Sequence, residues 1–230
     1  MKIHENERTV MSRRKLFKFS LGAAGALAGS TLAGKALAEV LTPPQTSGPF
    51  YPEDPILRGN SDNDLTRVHG RTGRAAGQIV YIEGQVVDGS GAPVPEAVID
   101  VWQANAEGRY NHTLDAQNPQ QLDPNFQSRG VAIADTEGRY VFKTIIPGAY
   151  PASETWMRPS HVHFRVSRRG YRELTTQMYF RGTQYLAEDR ILQSLSAEER
   201  ESVIVDFRDL VLPTGETIRV GNFRIVLAKV

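Results

Sequence analysis

From Ile79 onward the chain is cut into short stretches that alternate apolar and polar residues, each ended by a glycine- or proline-bearing turn. Alternation with a period of two puts one face of a strand into a core and the other toward solvent or a partner. "IVYIEGQVVDGSGAPVPEAVIDVWQAN" reads as two strands separated by a turn at Gly89 to Pro95. "GVAIADTEGRYVFKTII" reads as a hairpin turning at Glu137-Gly138, "HVHFRVSRRGY" and "LTTQMYF" continue the pattern, and "TIRVGNFRIVLA" closes the chain as a strand. Short strands at this spacing predict a mainly all-β chain folded as an antiparallel β-sandwich. One short helix interrupts them. Ser196 to Glu199 fits a capping box, and Val203, Ile204 and Phe207 follow at helical spacing.

The segments outside the strands divide the chain. "LTPPQTSGPFYPEDPILRGNSDNDL" is dense in Pro, Gly, Asn and Asp and predicts an irregular N-terminal arm. Before it, "MSRRKLFKFSLGAAGALAGSTLAGKALA" has a basic start, a mildly apolar middle and an Ala36-Leu37-Ala38 cleavage pattern. Ser12-Arg13-Arg14 with Phe17 and Lys18 resembles a twin-arginine export signal, with Leu16 and Phe17 exchanged relative to the usual order. A membrane anchor is the competing reading, but glycines and Lys35 interrupt the run of about 20 apolar residues that a span needs. The expected organisation is a signal peptide over 1–38, an arm over 39–75 and a β-sandwich over 76–230, with Met11 a second candidate start. The twin-arginine export machinery is then a partner, and the destination is the periplasm or beyond.

Charge and cysteine narrow the function. The chain has 27 Lys/Arg and 26 Asp/Glu, but seven of the basic and two of the acidic residues lie within 1–38. The remainder carries about −4, which speaks against a nucleic-acid surface. There is no cysteine, so a packed core rather than disulfides must stabilise an exported domain. Any metal site must use nitrogen and oxygen ligands.

In "MRPSHVHFRV" (Met157 to Val166), a strand would turn His161, His163 and Arg165 to one face and Val162, Phe164 and Val166 to the other. An H-x-H pair is compatible with a solvated strand face, with imidazoles satisfied by backbone groups, or with a metal. His112, in "GRYNH", and His69, in a polar loop, have no histidine neighbour. Tyr110 and Tyr150 each follow a strand, where functional side chains often sit; the alternative for either is an amphipathic lid with its hydroxyl at the surface.

"GPFYP", "VVDGSGAPVPEAVIDVWQANAEGRY", "DPNFQSRG", "IIPGAYP", "RPSHVHF" and "TQMYF" occur in this order between about Gly48 and about Gly182. The ordered set resembles the intradiol ring-cleavage dioxygenases, most of all the iron-bearing β-subunit type that acts on protocatechuate. The resemblance implies a non-haem Fe(III) cofactor held by Tyr110, Tyr150, His161 and His163. Fe(III) is a hard ion that favours anionic oxygen, and two phenolates plus a hydroxide would balance its charge in a buried cleft. It further implies a catechol-type substrate bound through both oxygens, with O2 as co-substrate and a cis,cis-muconate-type product. Tyr150 would leave the metal and help accept a proton, while Tyr110 stays bound. Arg158 would lie beside the substrate ring as a fixed cation, and Gln177 near the metal's open face. A surface salt bridge is the competing reading of Arg158, because Pro159 predicts a loop there.

Where the family's protocatechuate enzymes place a tryptophan two residues after the second tyrosine, this chain has Ala152. The wall is then more open, or filled by Trp156. Those enzymes also complete each site with a second chain, which leaves a homo- or hetero-oligomer open here. Two other readings compete: a metal-free, transthyretin-like binding module, which has no need of the Tyr/Tyr/His/His set, and a family member that binds iron without cleaving rings, which only assay can exclude.

Overall fold

The computed structural model describes residues 39–52 and 62–230; the expected signal peptide at 1–38 and part of the arm at 53–61 lie outside the described residues. The alternating segments form two five-stranded sheets and a two-stranded ribbon. In the first sheet, β1 (Ile79–Asp88) is central. It pairs antiparallel with β4 (Arg139–Ile145) and parallel with β11 (Thr217–Asn222) and β12 (Ile225–Leu227), while β10 (Phe207–Val211) flanks β11. The second sheet runs β3 (Arg129–Ile133), β2 (Val98–Trp102), β7 (His161–Ser167), β8 (Leu174–Phe180), β9 (Ile204–Val205). The ribbon joins β5 (Tyr150–Ser153) to β6 (Trp156–Arg158).

The sheets face each other across one core. Val80, Ile82, Val86 and Phe142 meet Ile99, Val101, Val162, Phe164, Val166 and Met178, all essentially buried. Phe164 bridges the layers, with edge contacts to Tyr140, Phe142 and Phe223 at centroid distances of 6.3, 6.4 and 4.9 Å. Truncating such a side chain to alanine costs ~3–5 kcal/mol. The result is the mainly β sandwich expected from the alternation, although the β1–β11, β1–β12 and β8–β9 pairs are parallel.

Four local expectations are corrected. The Glu137-Gly138 turn does not close a hairpin: β3 pairs with β2 and β4 with β1, so the chain crosses from one sheet to the other. The capping box forms as expected, with Ser196 and Glu199 each bonded to the other's backbone, but α2 (Ala197–Val203) stops before Ile204. The β-branched pair Ile204-Val205 is better used in a strand, where it pairs with Tyr179 and Phe180, while Phe207 opens β10. A second short helix, α1 (Arg190–Gln193), precedes α2. The closing strand is two strands, interrupted where Phe223 turns into the core and its N–H bonds the Glu83 carbonyl at 2.8 Å.

The arm contains no helix or strand over 39–52 and 62–75 beyond an isolated bridge at Asp64. It is nonetheless fastened. Gln45 accepts from the Tyr179 hydroxyl at 2.8 Å, and the Pro43 carbonyl accepts from Thr176 at 2.8 Å.

The turn after β1 is organised by Asp88, buried at its carboxylate, which accepts from Ser90 N–H and Oγ, from Ala92 N–H and from Lys229. The Lys229 bond, then the Ser90 bonds, hold its carboxyl well below the usual carboxylate range. A depressed folded-state pKa adds stability that is complete above the unfolded pKa of about 3.9 and disappears as pH falls through the folded value. Asp88→Asn is therefore expected to lower stability by about 2 kcal/mol at neutral pH. Thermal melts should show the gap from the parent narrowing below about pH 4.

Candidate metal centre

Strand β7 presents Val162, Phe164 and Val166 to the core, as its alternation requires. The two histidines of the opposite face do not meet water. His161 and His163 are each only 2% exposed, beneath a second apolar cluster of Trp102, Ala104, Tyr110 and Tyr150 packed by Phe50 and Tyr51. The His163 ring stacks on Trp102 at 4.8 Å with an interplanar angle of 5°. The two tyrosines are buried, not lids with surface hydroxyls.

The loops that carry the tyrosines are locked together. Gln103, fully buried, donates to the Ile145 carbonyl and accepts from Thr144, tying the ends of β2 and β4. Beyond β2, Asn105 accepts from the N–H groups of Glu107 and Arg109, and Asp115 accepts from the Tyr110 N–H at 2.7 Å. Beyond β4, the Gly148 N–H donates to the Asn105 carbonyl at 2.9 Å, and Ser160 donates to the Pro147 carbonyl at 2.7 Å. These ties bring Tyr110, Tyr150 and His161 to one place. Their closeness needs glycine: a Cβ on Gly148 would lie 2.4 Å from the Gly108 nitrogen, and Gly108 itself has φ +80°. Gly148→Ala is expected to push the loops apart and weaken the affinity of the four donors for an added metal at least ~10-fold, the scale of losing a group that orients a ligand. Metal analysis of the purified variant checks this.

Nitrogen and oxygen donors converge. His161 Nε2 lies 3.2 Å from His163 Nε2 and 3.4 Å from the Tyr110 hydroxyl. The Tyr150 ring stands 5.4 Å from that of Tyr110 and 5.7 Å from that of His161. His161 Nδ1 is 2.7 Å from the Pro159 carbonyl, which can only accept, so the ring proton is on Nδ1 and Nε2 offers a lone pair. Burial, then the charge of Arg158, pushes His161 well below its ordinary pKa and His163 down to about 3, so both imidazoles are neutral at physiological pH. Burial likewise raises Tyr110 well above 10, assisted by Tyr150, and raises Tyr150 against the pull of Arg158.

This donor set fits a metal. Two nitrogens each about 2.1 Å from one ion at a near-right angle lie about 3 Å apart, close to the separation here. Among the described residues no group of three or more His, Cys, Asp or Glu side chains could hold a metal, so four donors are reached only by counting the phenols. Phenol oxygen with imidazole nitrogen suits a hard, strongly polarising cation, able to displace phenol protons despite the raised pKa.

Arg158 is neither in a loop nor at the surface. It ends β6, opposite Tyr150, and is 4% exposed. Its Nε donates to Asp189 Oδ2 at 2.7 Å and its Nη2 to Gln177 Oε1 at 2.6 Å. Gln177, paired with His163 across β7 and β8, donates its amide to the Thr46 carbonyl at 3.0 Å. All six residues singled out from the sequence are thus gathered here. Ala152 is exposed, and the Trp156 ring lies 5.4 Å from the Arg158 guanidinium and 5.3 Å from that of Arg190. His112 stays outside, its Nδ1 accepting from the Leu114 N–H.

Several members of the site escaped the sequence reading. Phe50 stacks on Tyr110 at 4.6 Å and touches Tyr150 edge-on at 6.0 Å. Tyr51 fixes the arm beside it by donating to Asp100 at 2.9 Å, a carboxylate also gripped by Arg129 through two bonds. The only signal was their place in "GPFYP", which has no period to read.

A family model described as Dioxygenase matches residues 46–229. The chain is 42% identical over 153 residues to the protocatechuate 3,4-dioxygenase beta chain of Burkholderia cepacia, covering 65% of this chain and 64% of that one. It is 32% identical over 169 residues to catechol 1,2-dioxygenase 2 of Acinetobacter lwoffii, covering 67% and 57%. The matches thus span less than two-thirds of both curated relatives. Among solved structures, catechol 1,2-dioxygenase from Pseudomonas arvilla C-1 superimposes with a TM-score of 0.62 at 28% identity, over 82% of this chain and 62% of that one.

Proposed function

This chain belongs to the intradiol ring-cleavage dioxygenase family, and we propose that it opens a catechol-type ring between the two hydroxyl-bearing carbons, using O2 and a non-haem ferric ion. The observation that carries this reading is that His161 Nε2 lies 3.2 Å from His163 Nε2 and 3.4 Å from the Tyr110 hydroxyl, with Tyr150 alongside. Held by Tyr110, Tyr150, His161 and His163, the ferric ion would supply a Lewis acid that binds both catechol oxygens and draws electron density from the ring.

The chain's own residues divide the remaining work. Tyr110, packed by Phe50 and held at its backbone by Asp115, is the fixed phenol. Tyr150, buried beside Tyr110 at the start of the β5–β6 ribbon, would be the phenol that leaves the metal and receives a substrate proton at its oxygen, as the family resemblance implies. Arg158 sets a permanent positive charge beside Tyr150, where negative charge grows on the reacting ring. Gln177 fixes the guanidinium, and Phe50, Trp102 and Tyr51 keep water away from the histidines.

Oxygen uptake by iron-reconstituted protein with catechol, protocatechuate and hydroxyquinol tests the reading. Turnover of at least one, with a muconate-type acid as product, is the expected result.

The site is reached, in this reading, by export through the twin-arginine route. Arg13→Lys with Arg14→Lys keeps the charge but removes the pair that a receptor reads, and should leave the protein in the cytoplasm. Normal export of that double variant in cell fractionation would point to another route.

A further inference from the structure

Asp189 is fully buried and spends its two carboxylate oxygens in different places. Oδ1 caps α1 by accepting from the Leu192 N–H at 2.8 Å, and Oδ2 accepts from Arg158 Nε at 2.7 Å. Arg158 is the cation beside Tyr150, and with Nε held by Asp189 and Nη2 by Gln177 its guanidinium plane has two fixed edges. Nη1 is committed to neither partner. From this geometry we propose that Asp189 is a positioning residue for ring cleavage: it locks the Arg158 guanidinium so that Nη1 stays turned to the substrate, and it ties that orientation to the loop and helix after β8.

The proposal rests on the ring-cleavage reading above. A flexible arginine would spread its donors over several rotamers, and each misplacement by about 1 Å can cost ~10²-fold in rate. Gln177 alone cannot do this, because one bond leaves the plane free to rotate about it. A merely structural Asp189 would act only as a helix cap, and that role is separable. Asparagine and serine cap about as well as aspartate, but neither offers an anionic oxygen to Nε.

The test uses the full-length, iron-reconstituted protein with Asp189→Asn and Asp189→Ser, alone and combined with Arg158→Ala. Both single variants should keep the visible iron band and lose ~10–100-fold in kcat with little change in KM. Asp189→Asn should change kcat less than about 2-fold once Arg158 is already alanine, since residues acting as one unit are not additive. Full kcat in both single variants, or a further large loss in the Arg158→Ala background, would overturn the proposal. Stability gives a second, activity-free answer, which also serves if a single variant fails to fold. Arg158→Ala strands a buried carboxylate, so adding Asp189→Asn should raise its Tm; a lower Tm would assign Asp189 to the cap alone. If the parent binds iron but opens no catechol, the ring-cleavage reading fails, while the Tm comparison still decides whether Asp189 holds Arg158.

Discussion

On the ferric reading proposed above, Tyr110→Phe is expected to give a folded protein without the visible iron band and the ring cleavage expected of the parent. The substitution removes one oxygen and leaves the ring stacked on Phe50 at 4.6 Å, so packing survives while a donor disappears. Deleting a residue that merely orients a ligand costs ~10–100-fold in metal affinity, and deleting the ligand itself should cost more. His161→Ala should behave likewise at the metal but also open a cavity, because that ring is 2% exposed and bonded to Pro159. Metal analysis, visible absorption and Tm together separate these outcomes: the phenylalanine variant should be colourless, with a Tm near that of the metal-free parent. Retention of both colour and turnover would remove Tyr110 from the ligand set.

Arg158→Ala is expected to keep the iron band and lose ~10²-fold or more in kcat, the scale of removing one preorganised donor from a developing negative charge. It should also destabilise the protein by ~3–5 kcal/mol, because Asp189 is left buried without its cation. Arg158→Lys distinguishes the two effects. An ammonium can partly neutralise Asp189 and recover Tm, but it cannot bond Asp189, Gln177 and a ring-face charge at once as the planar guanidinium does. Stability should therefore return in part while kcat stays low. Recovery of both together would show that Arg158 acts only through stability.

How far the fold could be read from the sequence follows from what each signal encodes. A period of two marks strands, and the segments around β1, β2, β7 and β8 lie where alternation put them. A turn does not say which sheet the next strand joins, so Glu137-Gly138 reads as a hairpin turn although the chain there crosses between sheets. Ile204 satisfies both a helical and a strand pattern, and pairing with β8, which is not local, decides for the strand. In the site, the two histidines were legible as one face of a strand. That the face is roofed by Phe50 and Trp102 rather than wetted depends on residues far away in the chain. The tyrosines were singled out by position and resemblance; the Gly108–Gly148 contact that joins their loops has no sequence signature. Asp189 stands 31 residues from Arg158 in "YLAEDRIL", where no local pattern links the two.

The central claim is that these residues hold a ferric ion that opens a ring between its hydroxyls. Its most direct test is mass analysis of the product formed by iron-reconstituted protein from a catechol under 18O2. The account predicts a cis,cis-muconate-type diacid carrying both labelled oxygen atoms. A semialdehyde from cleavage beside the diol would contradict it.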